Sequence, residues 1–254
     1  VKKHIPNFIT LLNLLSGCIA IVFAINSNFP AAALFVGLGI IFDFFDGFAA
    51  RILNVKSDLG VQLDSLADMV TSGVVPGIIM FKLLELTIGA PDIIEQANSW
   101  NAMFSFKGFK GSIIPVAGFA ITLASAYRLA KFNIDEDQQT YFKGLPTPAN
   151  ALLIMSLPLI LEFQNSDLMN TTILNPYFLL GLTLVSCYLL NAPIKLFSLK
   201  FTSGGFAKNA SRYIFLALSI VALIIFQFAA IPIIIAIYIV MSVLDEISAK
   251  KIKI

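Results

Sequence analysis

Residues 8–26, FITLLNLLSGCIAIVFAIN, contain no charged side chain, and comparable apolar runs follow one another along the chain. No other feature constrains the fold as strongly. A hydrocarbon core of about 30 Å is crossed by roughly 20 residues of helix, which divides the chain into about eight spans. They fall near 8–26, 30–53, 63–87, 112–131, 149–164, 174–191, 210–227 and 229–246. Membrane barrels use alternating segments of about ten residues, far shorter than these runs, so strands are not expected. The expected fold class is therefore all-α, a polytopic integral membrane helical bundle. Composition agrees: 58% of the 254 residues are hydrophobic and 13% charged, and the mean hydropathy is +0.88. That leaves too little polar surface to coat a water-soluble domain of this length. The first run is followed by others, so it reads as a span and not as a cleaved signal peptide. Residues 1–254 are expected to form a single membrane domain with no soluble domain appended.

Lysine and arginine orient the bundle. With the N-terminus in the cytoplasm, eight spans place Lys2, Lys3, Arg51, Lys56, Arg128, Lys131, Lys143, Lys195, Lys200, Lys208, Arg212, Lys250, Lys251 and Lys253 inside. Lys82, Lys107 and Lys110 then lie outside. Both termini are expected on the cytoplasmic side of the cell membrane. The net charge of +2 is a topological signature and not a nucleic-acid footprint, because the basic residues are scattered over helix ends. Cys18 and Cys187 read as small apolar packing residues without a disulfide framework, and His4 is the only histidine. The loop near 88–111, with Trp100, is expected along the interface, and the C-terminal KKIKI reads as a flank favouring anionic lipid.

Against this apolar background, residues 43–68, DFFDGFAARILNVKSDLGVQLDSLAD, carry five aspartates. Asp43, Asp46, Gly47 and Ala50 share one helical face at the end of the second span, and Gly60, Asp64 and Asp68 share one at the start of the third. The hairpin between the spans brings the two faces together. Carboxylates at helix ends can simply sit in headgroup water, which suits Asp58 in the expected connecting loop. The other four fit that description badly, because an aspartate within a span costs about 2.5–3.5 kcal/mol and intramembrane acids usually line a functional cavity. Four carboxylates without histidine or thiolate suit hard cations such as Mg²⁺ or Mn²⁺, and two ions are plausible. A pair of ions is the usual clamp for displacement at phosphorus. Gly47, Ala50 and Gly60 would let a phosphate-bearing ligand approach the backbone, or serve close helix packing, or both. Arg51 offers a fork for phosphate oxygens.

Asp43, Asp46, Gly47, Ala50, Arg51, Gly60, Asp64 and Asp68 reproduce DxxDGxxAR, eight residues, then GxxxDxxxD without departure. In this the chain resembles the CDP-alcohol phosphotransferases. The resemblance implies a six-helix membrane core, to which the last two helices, about 210–246, would be peripheral. It also implies displacement of CMP from a CDP-linked substrate by an alcohol. Asp43 and Asp64 would bridge two metal ions, Asp46 would hold one, and Asp68 would hold the other while accepting the alcohol proton. Gly47, Arg51 and Ser57 would contact the CDP-linked lipid, and Pro6, Asn7, Phe8 and Ile9 would lie where its nucleotide end is held. Chemistry supports a carboxylate base independently: the alcohol must lose its proton, and no histidine is near.

IPNFITLLNLLSGCIAI at 5–21 and YRLAKFNIDEDQQTYFKGLPTPANA at 127–151 are similar to segments of the bacterial and archaeal phosphatidylserine synthase branch of that family. This implies CDP-diacylglycerol and L-serine as substrates, and relatives in this branch imply a homodimer. Arg128, Lys131, Asn133 and Lys143 are candidates for holding the serine carboxylate, although Arg128 and Lys131 could equally be inside-positive anchors. Asp135, Glu136 and Asp137 read as a solvated loop face. Thr147 reads as an N-cap before Pro148, with Gly144 and Pro146 as turn residues. Glycerol phosphate or inositol as acceptor stays open. A metal-ion transporter would also place acids in spans, but near the midplane and not beside an arginine at one face.

Overall fold

The computed structural model describes residues 4–55, 57–88, 113–134, 142–164, 166–196 and 209–251. The expectations for Lys56, the 88–111 loop with Trp100, the acidic run 135–137 and residues 252–254 lie outside these, apart from Ile88 at the edge of that loop. Helices occupy all eight expected places. The first two, α1 (Ile5–Ile25) and α2 (Phe29–Ile52), form an antiparallel hairpin. Its turn places Ser27 at φ 56°, and Asn28 caps α2 by accepting from the Ala31 N–H at 3.2 Å. Phe23 and Phe35 stack across it with ring centroids 5.6 Å apart.

The third helical run, Asp58–Thr87, is continuous for 30 residues but not uniform. It consists of α3 (Asp58–Asp68), a π-helical turn (Met69–Val74) and α4 (Val75–Thr87). Ser57 caps α3 by accepting from the Gly60 N–H at 3.1 Å. Asp58 is therefore not a loop residue. It is exposed in the first helical turn, where its negative charge complements the helix dipole.

A 3₁₀ segment, Ile114–Phe119, leads into α5 (Ala120–Ile134). Only 15 of these residues are α-helical, but the six in the 3₁₀ segment rise faster, so the pair reaches about 34 Å. Gly118 makes the close approach to α4 possible, since a Cβ there would lie 2.6 Å from the Phe81 nitrogen. Next come α6 (Thr147–Phe163), α7 (Asp167–Ile173) and α8 (Pro176–Asn191), the last two meeting at a 65° bend. Pro146 occupies the N-cap of α6 and Thr147 is already helical, one residue away from the expected boundary. Gly144 does occupy a left-handed turn, at φ 74°.

Two-residue strands, which the sequence did not suggest, clip the α5–α6 connection to the end of α8. Phe142–Lys143 (β1) pairs antiparallel with Lys195–Leu196 (β2). The Gly144 and Leu145 N–H groups continue the clip by donating to Ile194 and Leu189 carbonyls at 2.9 and 2.8 Å.

The apolar stretch Ser211–Asp245 is 35 residues long, about 52 Å if straight, yet its ends touch. Ser211 donates to Asp245 at 3.0 Å and the Phe215 and Tyr238 rings lie 5.4 Å apart. The chain reverses at Gln227, φ 47°, so α9 (Ala210–Phe226) and α10 (Ala230–Lys251) are two antiparallel helices. Among the described residues, four apolar runs are long enough to cross a bilayer, or five if α7 and α8 are one span. That is fewer than the eight expected, because α5 and α6 have only 15 and 17 α-helical residues and α9–α10 counts as one run.

The bundle is apolar outside and partly polar inside. Phe44, Leu123, Leu184 and Ile224 are exposed, while Thr10, Asn13, Thr71, Ser72, Ser125 and Asn150 are buried. This inversion suits lipid as the solvent, because polar side chains are then turned away from the hydrocarbon and into the bundle. Cys18 departs from the expected packing role, since it is exposed on α1, whereas Cys187 packs against the core. That core, built around Ile79, Met80, Leu83, Leu84, Ile154 and Leu179, fills the half of the bundle away from the aspartates. It leaves the other end free for polar groups.

Candidate active site

The turn between α2 and α3 returns the chain through Asn54, φ 52°, and sets the two aspartate-bearing faces against each other. One oxygen each from Asp43, Asp64 and Asp68 lies within 4.8 Å of the other two. All three side chains are half-buried, and Asp64 Oδ1 is buried with no hydrogen-bond donor among the described residues. Among the described residues, no ion pair neutralises them. A cluster of oxygen ligands with an orphaned buried lone pair fits a hard divalent cation, so these residues can hold one.

Asp46 stands apart from this trio. It is 5% exposed, and its Oδ2 accepts from the Thr10 hydroxyl at 2.6 Å, a length typical of a hydrogen bond to a carboxylate. Asn13, one turn further along α1 and fully buried, donates from Nδ2 to Asp68 Oδ1 at 3.2 Å. Thr71, in the π turn, donates to Asn13 Oδ1 at 2.8 Å. Thr10, Asn13 and Thr71 were not singled out from the sequence. The available signal was the polar stripe Asn7, Thr10, Asn13, Ser16 at three-residue intervals on an otherwise apolar helix.

The other sequence candidates divide by position. Gly60 and Ser57 meet Asn7 at the mouth of the cluster, where a Cβ on Gly60 would lie 3.2 Å from Ser57 Oγ and 3.3 Å from Asn7 Oδ1. Arg51 is exposed and folds back so that its Nε donates to the Gly47 carbonyl at 3.0 Å. A Cβ on Gly47 would make only an ordinary 3.5 Å contact with Arg51 Nη2, so helix packing does not require glycine there. Ala50 and Ile9 are half-buried and Pro6 is buried. Phe8 is 62% exposed on the outer face of α1, and the structure does not bring it to the carboxylates.

Arg128, Lys131 and Lys143 share one small cavity of about 60 Å³, closed by Phe132, Leu190, Asn191, Ala192 and Pro193. No aspartate lines it, and Arg128 connects it to the carboxylates. Arg128 is 8% exposed; among the described residues its Nε has no hydrogen-bond partner, and its charge acts on Asp68 without an ion pair within 4 Å. Asn133 is not part of this cavity. Its Oδ1 accepts from Ser65 at 3.1 Å, tying the end of α5 to α3.

The family model for CDP-alcohol phosphatidyltransferases matches residues 3–187. The chain belongs to that family. The match takes in Asp43, Asp46, Asp64 and Asp68 and runs from α1 into α8. Similar proteins include the CDP-diacylglycerol–serine O-phosphatidyltransferase of Bacillus subtilis (strain 168), 32% identical over 61% of this chain and 75% of that protein. The Methanocaldococcus jannaschii protein of the same name is 30% identical over 72% of this chain and 71% of its own length. The Saccharomyces cerevisiae one is 31% identical over 61% and 53%.

Proposed function

We propose that this CDP-alcohol phosphatidyltransferase moves the phosphatidyl group of CDP-diacylglycerol to the hydroxyl of L-serine, giving phosphatidylserine and CMP. The observation that carries the proposal is the position of the Asp43–Asp64–Asp68 cluster between two different surroundings. On one side are Arg51 and the open backbone at Gly47, suited to a diphosphate. On the other is the buried Arg128, whose Nε has no hydrogen-bond partner among the described residues, suited to the carboxylate of an amino-acid acceptor. The names of its similar proteins support serine.

Asp43, Asp64 and Asp68, with Asp46, would hold two divalent cations, Mg²⁺ or Mn²⁺. Bound there, the cations would stabilise charge on the phosphate oxygens and on the departing CMP. Asp68 accepts the serine hydroxyl proton, the serine oxygen bonds to the phosphatidyl phosphorus, and the bond from that phosphorus to the CMP oxygen breaks. Arg51 and Ser57 hold the donor phosphates, with Asn7 and Pro6 toward the nucleotide. Arg128, Lys131 and Lys143 orient the serine carboxylate.

The catalytic unit is α1–α8, with the α9–α10 hairpin as an accessory. The enzyme works as a homodimer in the cell membrane, with the site on the cytoplasmic side. That orientation is supported by Arg51, Lys131, Lys143 and Lys195, which lie at the aspartate end of the bundle. The test is an acceptor panel. Purified protein with CDP-diacylglycerol and Mg²⁺ or Mn²⁺ is offered serine, glycerol phosphate or inositol, and both CMP and lipid product are followed. Metal-dependent CMP release with serine alone is the expected result, and turnover with another alcohol but not with serine would sink the assignment.

A further inference from the structure

The interior of α1 carries a hydrogen-bond relay to Asp68 that neither the family motif nor the proposed substrate contacts include. Thr71 Oγ1 lies 2.8 Å from Asn13 Oδ1 and 3.1 Å from the Asn13 carbonyl, so its single proton is directed at Asn13. The amide of Asn13 then presents Nδ2 to Asp68 Oδ1 at 3.2 Å. The opposite amide orientation would set a carbonyl oxygen against the carboxylate, two acceptors facing each other. The order Thr71 → Asn13 → Asp68 is the arrangement that satisfies every group. No protein side chain donates to Asp68 Oδ2 among the described residues, so the relay occupies one carboxylate oxygen and leaves the other for the reaction.

The relay is boxed on both sides. A Cβ on Gly39 of α2 would lie 2.6 Å from Thr71 Cγ2 and 2.8 Å from Asn13 Oδ1, and one on Gly17 of α1 would lie 2.5 Å from Thr71 Oγ1. Only glycine lets three helical segments close around the pair, and the closed packing stops either side chain from rotating away. Thr71 itself belongs to the π turn that begins at Met69, the residue after Asp68. Such turns interrupt the regular ladder and are common at functional sites.

We infer that Asn13 and Thr71 are positioning residues that fix the rotamer of Asp68, directing one of its oxygens to the metal and acceptor side of the site. The inference rests on the proposed role of Asp68, and it predicts more than a packing role would. Partners that orient a metal ligand typically change metal affinity or activity by about 10–100-fold when removed.

The decisive pair is Thr71→Val, which keeps the shape and loses the hydroxyl, and Thr71→Ser, which keeps the hydroxyl and loses the methyl. In purified full-length protein without substrates, Mn²⁺ binding is followed by the electron paramagnetic resonance of the free ion. Thr71→Val is expected to weaken binding about tenfold and to lower kcat by a similar factor, with both substrate KM values within about twofold. Thr71→Ser is expected to stay within about twofold of wild type in each quantity. Asn13→Leu, which removes both arms of the amide, repeats the comparison should Thr71→Val not fold. Equal Mn²⁺ affinity in Thr71→Val and Thr71→Ser, or no loss in a folded Asn13→Leu, overturns the inference. The binding measurement uses no acceptor, so it stands even if the panel rejects serine.

Discussion

Arg128→Ala tests how the site chooses its acceptor. Arg128 is 8% exposed, its Nε has no partner among the described residues, and it walls a cavity with Lys131 and Lys143. A charge-assisted hydrogen bond to a carboxylate contributes about 1.5–3 kcal/mol. At about 1.36 kcal/mol per factor of ten, losing it should raise the serine KM roughly ten- to a hundredfold. Among the described residues Arg128 forms no ion pair, so truncation leaves no carboxylate there newly unpaired. The melting temperature should therefore hold, and the loss should be confined to serine. Arg128→Lys keeps the charge but not the planar fork and should fall between wild type and alanine. The assay is steady-state CMP release with each substrate varied in turn, alongside thermal unfolding in detergent. The expected outcome is a large rise in serine KM with the CDP-diacylglycerol KM within about twofold. A serine KM that moves by less than about twofold, below any direct charged contact, would place the acceptor carboxylate elsewhere. An equal rise in both KM values would assign Arg128 to the donor phosphates.

Asp46 and Asp68 should fail differently. Asp46→Asn keeps the shape that accepts from Thr10 and weakens a cation ligand, so raised Mg²⁺ or Mn²⁺ should recover part of the rate. Asp68→Asn removes the proton acceptor too, and near-wild-type turnover at high metal would take the base role from it. Two of the three glycines of α2, Gly39 and Gly37, form a second comparison. Gly39→Ala drives a Cβ to 2.6 Å from Thr71 and 2.8 Å from Asn13, an overpacking worth about 1–3 kcal/mol that should lower the melting temperature and the rate together. Gly37→Ala meets nothing within 4 Å and should do neither. Equal melting temperatures for the two would show that α2 can move away from the π turn.

Span positions and the aspartate constellation were legible in the sequence because both are local. Hydrophobic length follows from bilayer thickness, and residues at i, i+3, i+4 and i+7 share a helical face whatever surrounds them. Thus the pattern alone matches Asp43 with Asp64 and Asp68, since a hairpin turn connects their helices. Contacts between segments distant in sequence were decided by tertiary packing. That α1 lies over the site, with Thr10 on Asp46 and Asn13 on Asp68, depends on Gly17 and Gly39 admitting the π turn between α1 and α2. Arg128, Lys131 and Lys143 were already suspected from their charge, but their common cavity exists because the β1–β2 clip folds the start of α6 against the end of α8. Asn133 is an uncharged candidate from the same segment, and packing turns its amide instead toward Ser65. A one-dimensional pattern encodes which residues share a face of one helix. Which face meets which neighbour is set by the close packing of small residues across helices, and that information exists only once the bundle has closed.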